Sequence, residues 1–264
     1  MDYRLHGKSI KDYNKWASLY KKHDPTHWQV ERSAQSLASF MMVKENGGEK
    51  FVISEVNKIL SEMNDEILDF NNSIGYIEHE SRFDKYGKGR MQDLSIFGKT
   101  KNNKTFHLAI EAKVDEPFSS SIKDSLFRAH KAVIEANNKG KRSNAEVRIY
   151  DLLRDYFDIK KEHIADATDI LNLRYQLTYF LAGTYKDVDP SNRKADVDYK
   201  FMIVLAFLTN KHDSNLSKLN KEDFFSFAKA IPNSKQLDKN KFFFPIQNVF
   251  ALYCDDIELK EIEP

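Results

Sequence analysis

Residues Tyr199–Leu208 read YKFMIVLAFL, a nearly unbroken apolar run. It is far shorter than the ~20 residues a helix needs to cross a bilayer. A run of this length fits a strand buried on both faces, and such strands lie inside sheets covered by helices. This segment points to an α/β fold with a mixed central sheet flanked by helices. The 264-residue chain is 41% hydrophobic and 31% charged, which suits a folded chain with one well-buried core. No repeat, low-complexity stretch or linker divides it. One domain is therefore expected over 1–264, with an N-terminal helical arm (about 1–45) and a C-terminal extension (about 210–264).

Periodicity fills in the rest. Met1 to about His27 reads as a helical or irregular arm anchored by Trp16 and Trp28. Ala34, Leu37, Ala38 and Met41 recur at helical spacing, and the Gly47-Gly48 pair stops that helix. A second helix is predicted from about Glu49 to Met63. The period then changes to that of strands over Ser73–Arg82, Gln92–Gly98 and Thr105–Val114, with a polar turn at Lys101–Lys104. Helices are predicted at about Ser119–Asn137, Ala145–Tyr156, Ala167–Tyr185 and Glu222–Ala230. One or two late strands are expected over Phe242–Tyr253.

The chemistry is concentrated in Arg90–Phe118, RMQDLSIFGKTKNNKTFHLAIEAKVDEPF. Antiparallel pairing across the hairpin brings Asp93 near the Glu111 end of the next strand. Glu111 and Lys113 are two apart and share a face. Buried carboxylates without partners are costly. A hard cation such as Mg²⁺ relieves that cost, with carboxylate, carbonyl and water oxygens as ligands. Asp93, Glu111 and the Ala112 carbonyl are the expected ligands, and Lys113 is placed to orient water or to stabilise charge on a phosphate. Asp115 and Glu116 follow closely and fit a strand-end cap.

These residues resemble the PD-(D/E)XK nuclease superfamily, whose restriction endonuclease-like core runs helix, three strands, helix, strand (αβββαβ). The resemblance assigns its motif to Asp93, Glu111 and Lys113, and it implies a third acidic ligand from the first core helix or strand: Glu78, which IEHE sets on one face with Glu80, is the first choice, and Glu55 is its rival. The proline that names the motif is absent, and Gln92 stands before Asp93. The phrase IEAKVDEPF, with QDLSIF before it and LRYQLTYFLA after it, is also similar to a poorly characterised bacterial family within that superfamily, over roughly Trp28–Leu208. Arg174-Tyr175-Gln176-Leu177-Thr178-Tyr179 resembles the Gln-x-x-Tyr element of RecB-type nucleases. That likeness implies that Gln176 joins the catalytic group and that Tyr179 and Arg174 approach nucleic acid. The implied activity is an Mg²⁺- or Mn²⁺-dependent nuclease, an endonuclease acting on double-stranded DNA. An RNase and a catalytically retired nuclease fold that only binds are the alternatives. A homodimer, or a partner subunit of a restriction or phage-defence system, fits a chain of this size.

Net charge is +1 and selects no partner, but its distribution is uneven. Lys85, Lys88, Arg90, Lys99 and Lys101 surround the motif and are expected to contact phosphates. Arg128, Lys131, Lys139, Lys141 and Arg142 form a second basic group, and the terminal DDIELKEIEP is acidic. The single cysteine excludes an internal disulfide and a cysteine metal cluster. Without an apolar signal core or a spanning segment, a cytoplasmic protein is expected. No Walker-type glycine loop and no GxSxG elbow is present, which argues against ATP hydrolysis and serine-elbow chemistry.

Overall fold

The computed structural model describes residues 1–26, 28–64, 68–187, 196–210 and 213–260. A mixed nine-stranded sheet runs through it, in the order β2-β1-β3-β4-β5-β6-β9-β8-β7. The strands are β1 (Asp2–Leu5), β2 (Lys8–Ile10), β3 (Leu68–Ser81), β4 (Arg90–Thr100), β5 (Thr105–Lys113), β6 (Tyr199–Leu208), β7 (Lys235–Asp238), β8 (Lys241–Phe244) and β9 (Val249–Glu258). β3, β4 and β5 form an antiparallel meander, while β5–β6 and β6–β9 are parallel. The apolar run at Tyr199–Leu208 is an interior strand, as its composition requires, and nearly all of it is buried.

Helices cover both faces. α1 (Tyr13–His23), α2 (Ser33–Met42) and α3 (Gly48–Asn64) share a core with Leu94, Ile96, Leu108, Ile110, Phe201 and Ile203. On the opposite face, Ala109, Met202, Val204 and Ala251 pack with helices of the second half of the chain. These are α4 (Ile122–Asn138), α5 (Ala145–Phe157), α6 (Thr168–Leu171), α7 (Tyr175–Lys186) and α8 (Ser214–Ala230). Alternation along β5 explains the division. Phe106, Leu108, Ile110 and Ala112 point to one layer, and the residues between them to the other. Among the described residues, no helix is long and apolar enough to cross a membrane.

Two expectations are corrected. The N-terminal arm is not only helical, because β1 and β2 extend the sheet beside β3. Trp16 and Trp28 are nevertheless buried anchors. The expected helix at Ala167–Tyr185 is broken at Asn172–Arg174. There the Ile122 N–H donates to the Leu173 carbonyl (2.8 Å), and the Tyr175 N–H donates to the Ser120 carbonyl (3.1 Å). That bridge sets the start of α7 against the end of the β5–α4 loop. The C-terminal extension (about 210–264) joins the sheet, since β9 pairs directly with β6; residues 261–264 of its acidic tail lie outside the described residues.

Candidate active site

The β4–β5 ladder stops at Leu94↔Ile110. Beyond that pair the strands separate, and the Asp93 carboxylate closes the gap by accepting from the Ala112 N–H at 2.8 Å. In an extended strand a residue's N–H and C=O leave on the same side, so the Ala112 carbonyl faces this gap too. Glu111 and Lys113 stand on one face of β5, both buried, and their charged ends lie 3.2 Å apart. Asp93, Glu111 and Lys113 line one cavity of about 620 Å³.

Gln176, in the first turn of α7, reaches the same cavity. Its amide donates to Glu111. Its carbonyl oxygen accepts from the Ser119 N–H at 3.0 Å and lies 3.5 Å from Lys113 Nζ. The amide therefore spans both charged groups, with its orientation fixed from behind by the loop that bridges to α7. Lys113 also lies 3.7 Å from Glu116 and 5.2 Å from the Phe118 ring centroid.

Glu78 joins them through an irregularity of β3. Its φ of 50° is left-handed, an uncommon conformation for a side-chain-bearing residue. β3 and β4 pair at Ile77↔Leu94 and again at His79↔Gln92. Glu78 between them departs from the strand's alternation and lines the cavity. There Tyr20 of α1 donates to it at 2.6 Å. Strand parity alone groups Glu78 with Glu80. In the structure Glu80 instead accepts from the Gly89 N–H and pairs with Arg82. Glu55 is committed to Lys58 and Lys241, outside the cavity lining.

Five carboxylates line the cavity (Asp24, Glu78, Asp93, Glu111, Glu116) against three cations (Arg32, Arg90, Lys113). Burial, and then the neighbouring Glu111 and Glu78, push Asp93 well above the usual carboxylate range. Burial is also the main cause that raises Glu78. Burial acts to raise Glu111 too, but Arg90 and Lys113 outweigh it and hold that group below its ordinary value. Glu111 thus stays ionised, while Asp93 and Glu78 are crowded by like charge. Such a group of hard oxygen donors with excess negative charge fits a divalent cation. Among the described residues, no three His, Cys, Asp or Glu side chains already converge into a metal-ligating group. One reason is visible: the Arg90 guanidinium sits on Glu111 Oε2.

The basic residues divide. Arg90 is a wall of the cavity, paired with Glu111 rather than displayed on the surface. Lys85 and Lys88 are exposed on the loop just before it, outside the cavity lining. Lys99 and Lys101 do not flank the site, which corrects the expectation. They lie at the hairpin end of β4, about 20 Å from Asp93 at ~3.3 Å per residue. Arg174 is held by Asp223 at 2.7 Å and does not present its guanidinium to the cavity. Tyr179 shares a helix face with Gln176 but packs edge-on against Phe83 and beneath Arg148, outside the cavity lining. Asp115 and Glu116 tie β5 to the N-terminal region through Arg32 (2.5 Å) and Ser33 (2.6 Å). Tyr20 and the Ser119 N–H escaped sequence reasoning. Both act across tertiary contacts with no local spacing to betray them.

The chain belongs to a family described as a domain of unknown function (DUF6946), whose model matches residues 9–256. No curated protein and no solved structure matches it.

Proposed function

We propose that this member of the family is a divalent-metal-dependent nuclease hydrolysing phosphodiester bonds, with DNA as its favoured substrate. One observation carries the reading: Asp93, Glu111, Lys113 and Gln176 line a single cavity together with a third acid, Glu78. The order α3, β3–β4–β5, α4, β6 is consistent with a restriction endonuclease-like core of helix, three strands, helix, strand. Asp93, Glu111, Glu78 and the Ala112 carbonyl would hold Mg²⁺ or Mn²⁺. Such an ion supplies Lewis-acid polarisation of a phosphoryl oxygen and a more acidic bound water. The chain's own groups do the rest. Lys113 places a positive charge where negative charge develops on the phosphate. Gln176 fixes the rotamer of Glu111, as a hydrogen-bonded partner behind a ligand does. Burial of the group excludes bulk water and strengthens each of these interactions.

A second reading, a nuclease fold that binds without cutting, is favoured by the saturation of Glu111. Gln176, Arg90 and Lys113 all engage its carboxylate. Incubating the chain with plasmid, linear duplex, single-stranded DNA and RNA, each with Mg²⁺, Mn²⁺ or EDTA, separates the two. Metal-dependent cleavage that EDTA abolishes is expected. Nucleic-acid binding with no cleavage under any metal would favour the second reading, and cleavage that persists in EDTA would reject the site.

A further inference from the structure

We infer that the strand entering this site is unpaired, and that the outer face of α4 is the track on which it lies. The inference rests on the nuclease reading for the identity of the cavity, but its test does not require cleavage.

The first observation is depth. Glu111 and Lys113 are only 3% and 4% exposed, and Asp93 hydrogen-bonds to backbone in the gap between two strands. A cavity of about 620 Å³ is of small-ligand size, within about 300–1,000 Å³. It is walled by the α1–α2 region (Tyr20, Gln29, Arg32) on one side and by Ser119 and Gln176 on the other. A duplex is far larger, its major groove alone being about 12 Å wide and 8.5 Å deep. A phosphodiester reaches the buried floor most readily from a strand free to bend and unstack into the cavity, which is least costly for a strand already single.

The second observation lies at the rim. Ser119 lines the cavity, and three residues on α4 begins, capped by Ser121, whose hydroxyl accepts from the Asp124 N–H at 3.0 Å. Lys123, Phe127 and Lys131 follow at every fourth position and so form one stripe. All three are exposed, and Phe127 is 72% exposed. The helix buries Ile122, Ser125 and Ala129 instead, so Phe127 has no part in the core. An isolated exposed apolar residue needs no explanation. An aromatic ring set between two lysines, about 8 Å along the helix from Ile122 at ~1.5 Å per residue, is different. It combines the two features of single-strand tracks, cations for the backbone and a ring face for a base. Asp124, the acidic residue nearest the start of the stripe, is occupied by the Ser121 hydroxyl at 2.8 Å.

The test is fluorescence anisotropy in EDTA, where no cleavage occurs, using a labelled oligothymidylate of about 16 nucleotides, the upper end of single-strand site sizes, and a blunt duplex of equal length. Tighter binding of the single strand is expected. Phe127→Ala should weaken it about tenfold, the scale of one lost base–aromatic stack, and Phe127→Trp should restore it. Lys123→Ala with Lys131→Ala should lower the log–log salt slope by about 1.4, at ~0.7 per phosphate contact on a single strand. Equal or tighter duplex binding, or indifference to Phe127→Ala, overturns the inference. So does a self-association that Phe127→Ala abolishes while oligonucleotide affinity is unchanged, because the stripe would then belong to a second copy of the chain. Cleavage with Mg²⁺ is scored apart. Phe127-dependent binding without cleavage supports this inference and removes the nuclease reading, whereas cleavage with Phe127-independent binding does the reverse.

Discussion

Strands β3, β4 and β5 carry two buried polar clusters, and the contrast between them is instructive. One holds Glu78, Asp93, Glu111, Arg90 and Lys113 where the ladder opens. The other lies further along the same strands and against the end of α7. There Asp187 is 2.9 Å from His79 and accepts from the Ser81 hydroxyl at 2.6 Å, and His107 lies 3.2 Å from Ser95 Oγ. Burial works against the Asp187 charge, but its hydrogen bond from His79 and the nearby His107 outweigh that and hold it low. In this second cluster the acid has its own partners, and nothing further is needed to stabilise it. The first cluster crowds two carboxylates until burial and mutual repulsion push Asp93 well up. The unbalanced cluster is the one that asks for a cation.

The sharpest way to break this contrast is to remove a charged group from each cluster and compare cleavage with stability. Lys113→Ala and Asp93→Asn should each reduce cleavage at least ~100-fold while leaving a folded chain, the scale of losing one preorganised electrostatic group. Asp93→Asn replaces a carboxyl whose ionisation burial and like charge oppose, so in EDTA its melting temperature should exceed wild type, by more as the pH rises. A millimolar divalent ion should reverse the order by stabilising wild type alone, by ~2.7 kcal/mol at a hundredfold excess over Kd. Identical melting responses of the two proteins to Mg²⁺ and Mn²⁺ would leave the cation without its ligand.

Gln176→Ala is the next step down. It removes no charge, yet it frees Glu111 from one of its three partners. A loss of about 10- to 100-fold in metal affinity or activity is expected, as for other partners of metal ligands. Activity must be expressed per folded molecule, and full activity in a destabilised variant would reduce Gln176 to a packing residue.

How far this site could be read from sequence depends on how local each signal is. Asp93, Glu111 and Lys113 were legible because one hairpin fixes their spacing. Gln176 was legible from its motif, yet the motif named Tyr179 equally, and only the pairing of 173–175 with 120–122 separates the two. Strand parity points to Glu78, whereas the structure brings it in by breaking that parity with a left-handed φ. Arg90 reads from sequence as one phosphate-contacting cation among five, because a run of lysines and arginines carries no sign of which one turns inward. The sheet's edge was missed although His6-Gly7, both at positive φ, joins Leu5 to Lys8 as a two-residue hairpin. Such turns carry a short-range signal, but strands of four and three residues are too brief for periodicity to mark.

The balanced cluster should answer in stability and not in activity. Asp187→Ala would leave His79 and the Ser81 hydroxyl without their shared acceptor, at a cost of about 1–3 kcal/mol for the unmade hydrogen bonds. Cleavage by the folded fraction should stay at wild-type level. Chemical denaturation with activity assays on the same samples checks both halves. A large loss of cleavage at unchanged stability would merge the two clusters into one functional unit.

The smallest effect is a slope of stability with pH. Burial is the main cause that lowers His107 to about 4, against ~6.5 for an unperturbed imidazole. A histidine depressed in the folded state binds its proton more readily when the chain is unfolded. At this site the unfolded chain therefore carries more protons between about pH 6.5 and 4, so the His107 contribution to stability rises with pH, against the raised Asp93 and Glu78, whose contribution falls with pH. The His107 contribution is lost as the pH falls through 6.5 and levels off near 4, where the folded state also protonates. Asp187 adds in the same direction at the acid end, because its depressed carboxyl loses its contribution as the pH drops through its folded value. The two are separable by substitution. His107→Gln should flatten the slope between pH 6.5 and 4.5 while leaving the fall below pH 4. Urea midpoints over that range test it, and an undiminished slope in His107→Gln would remove His107 as its source.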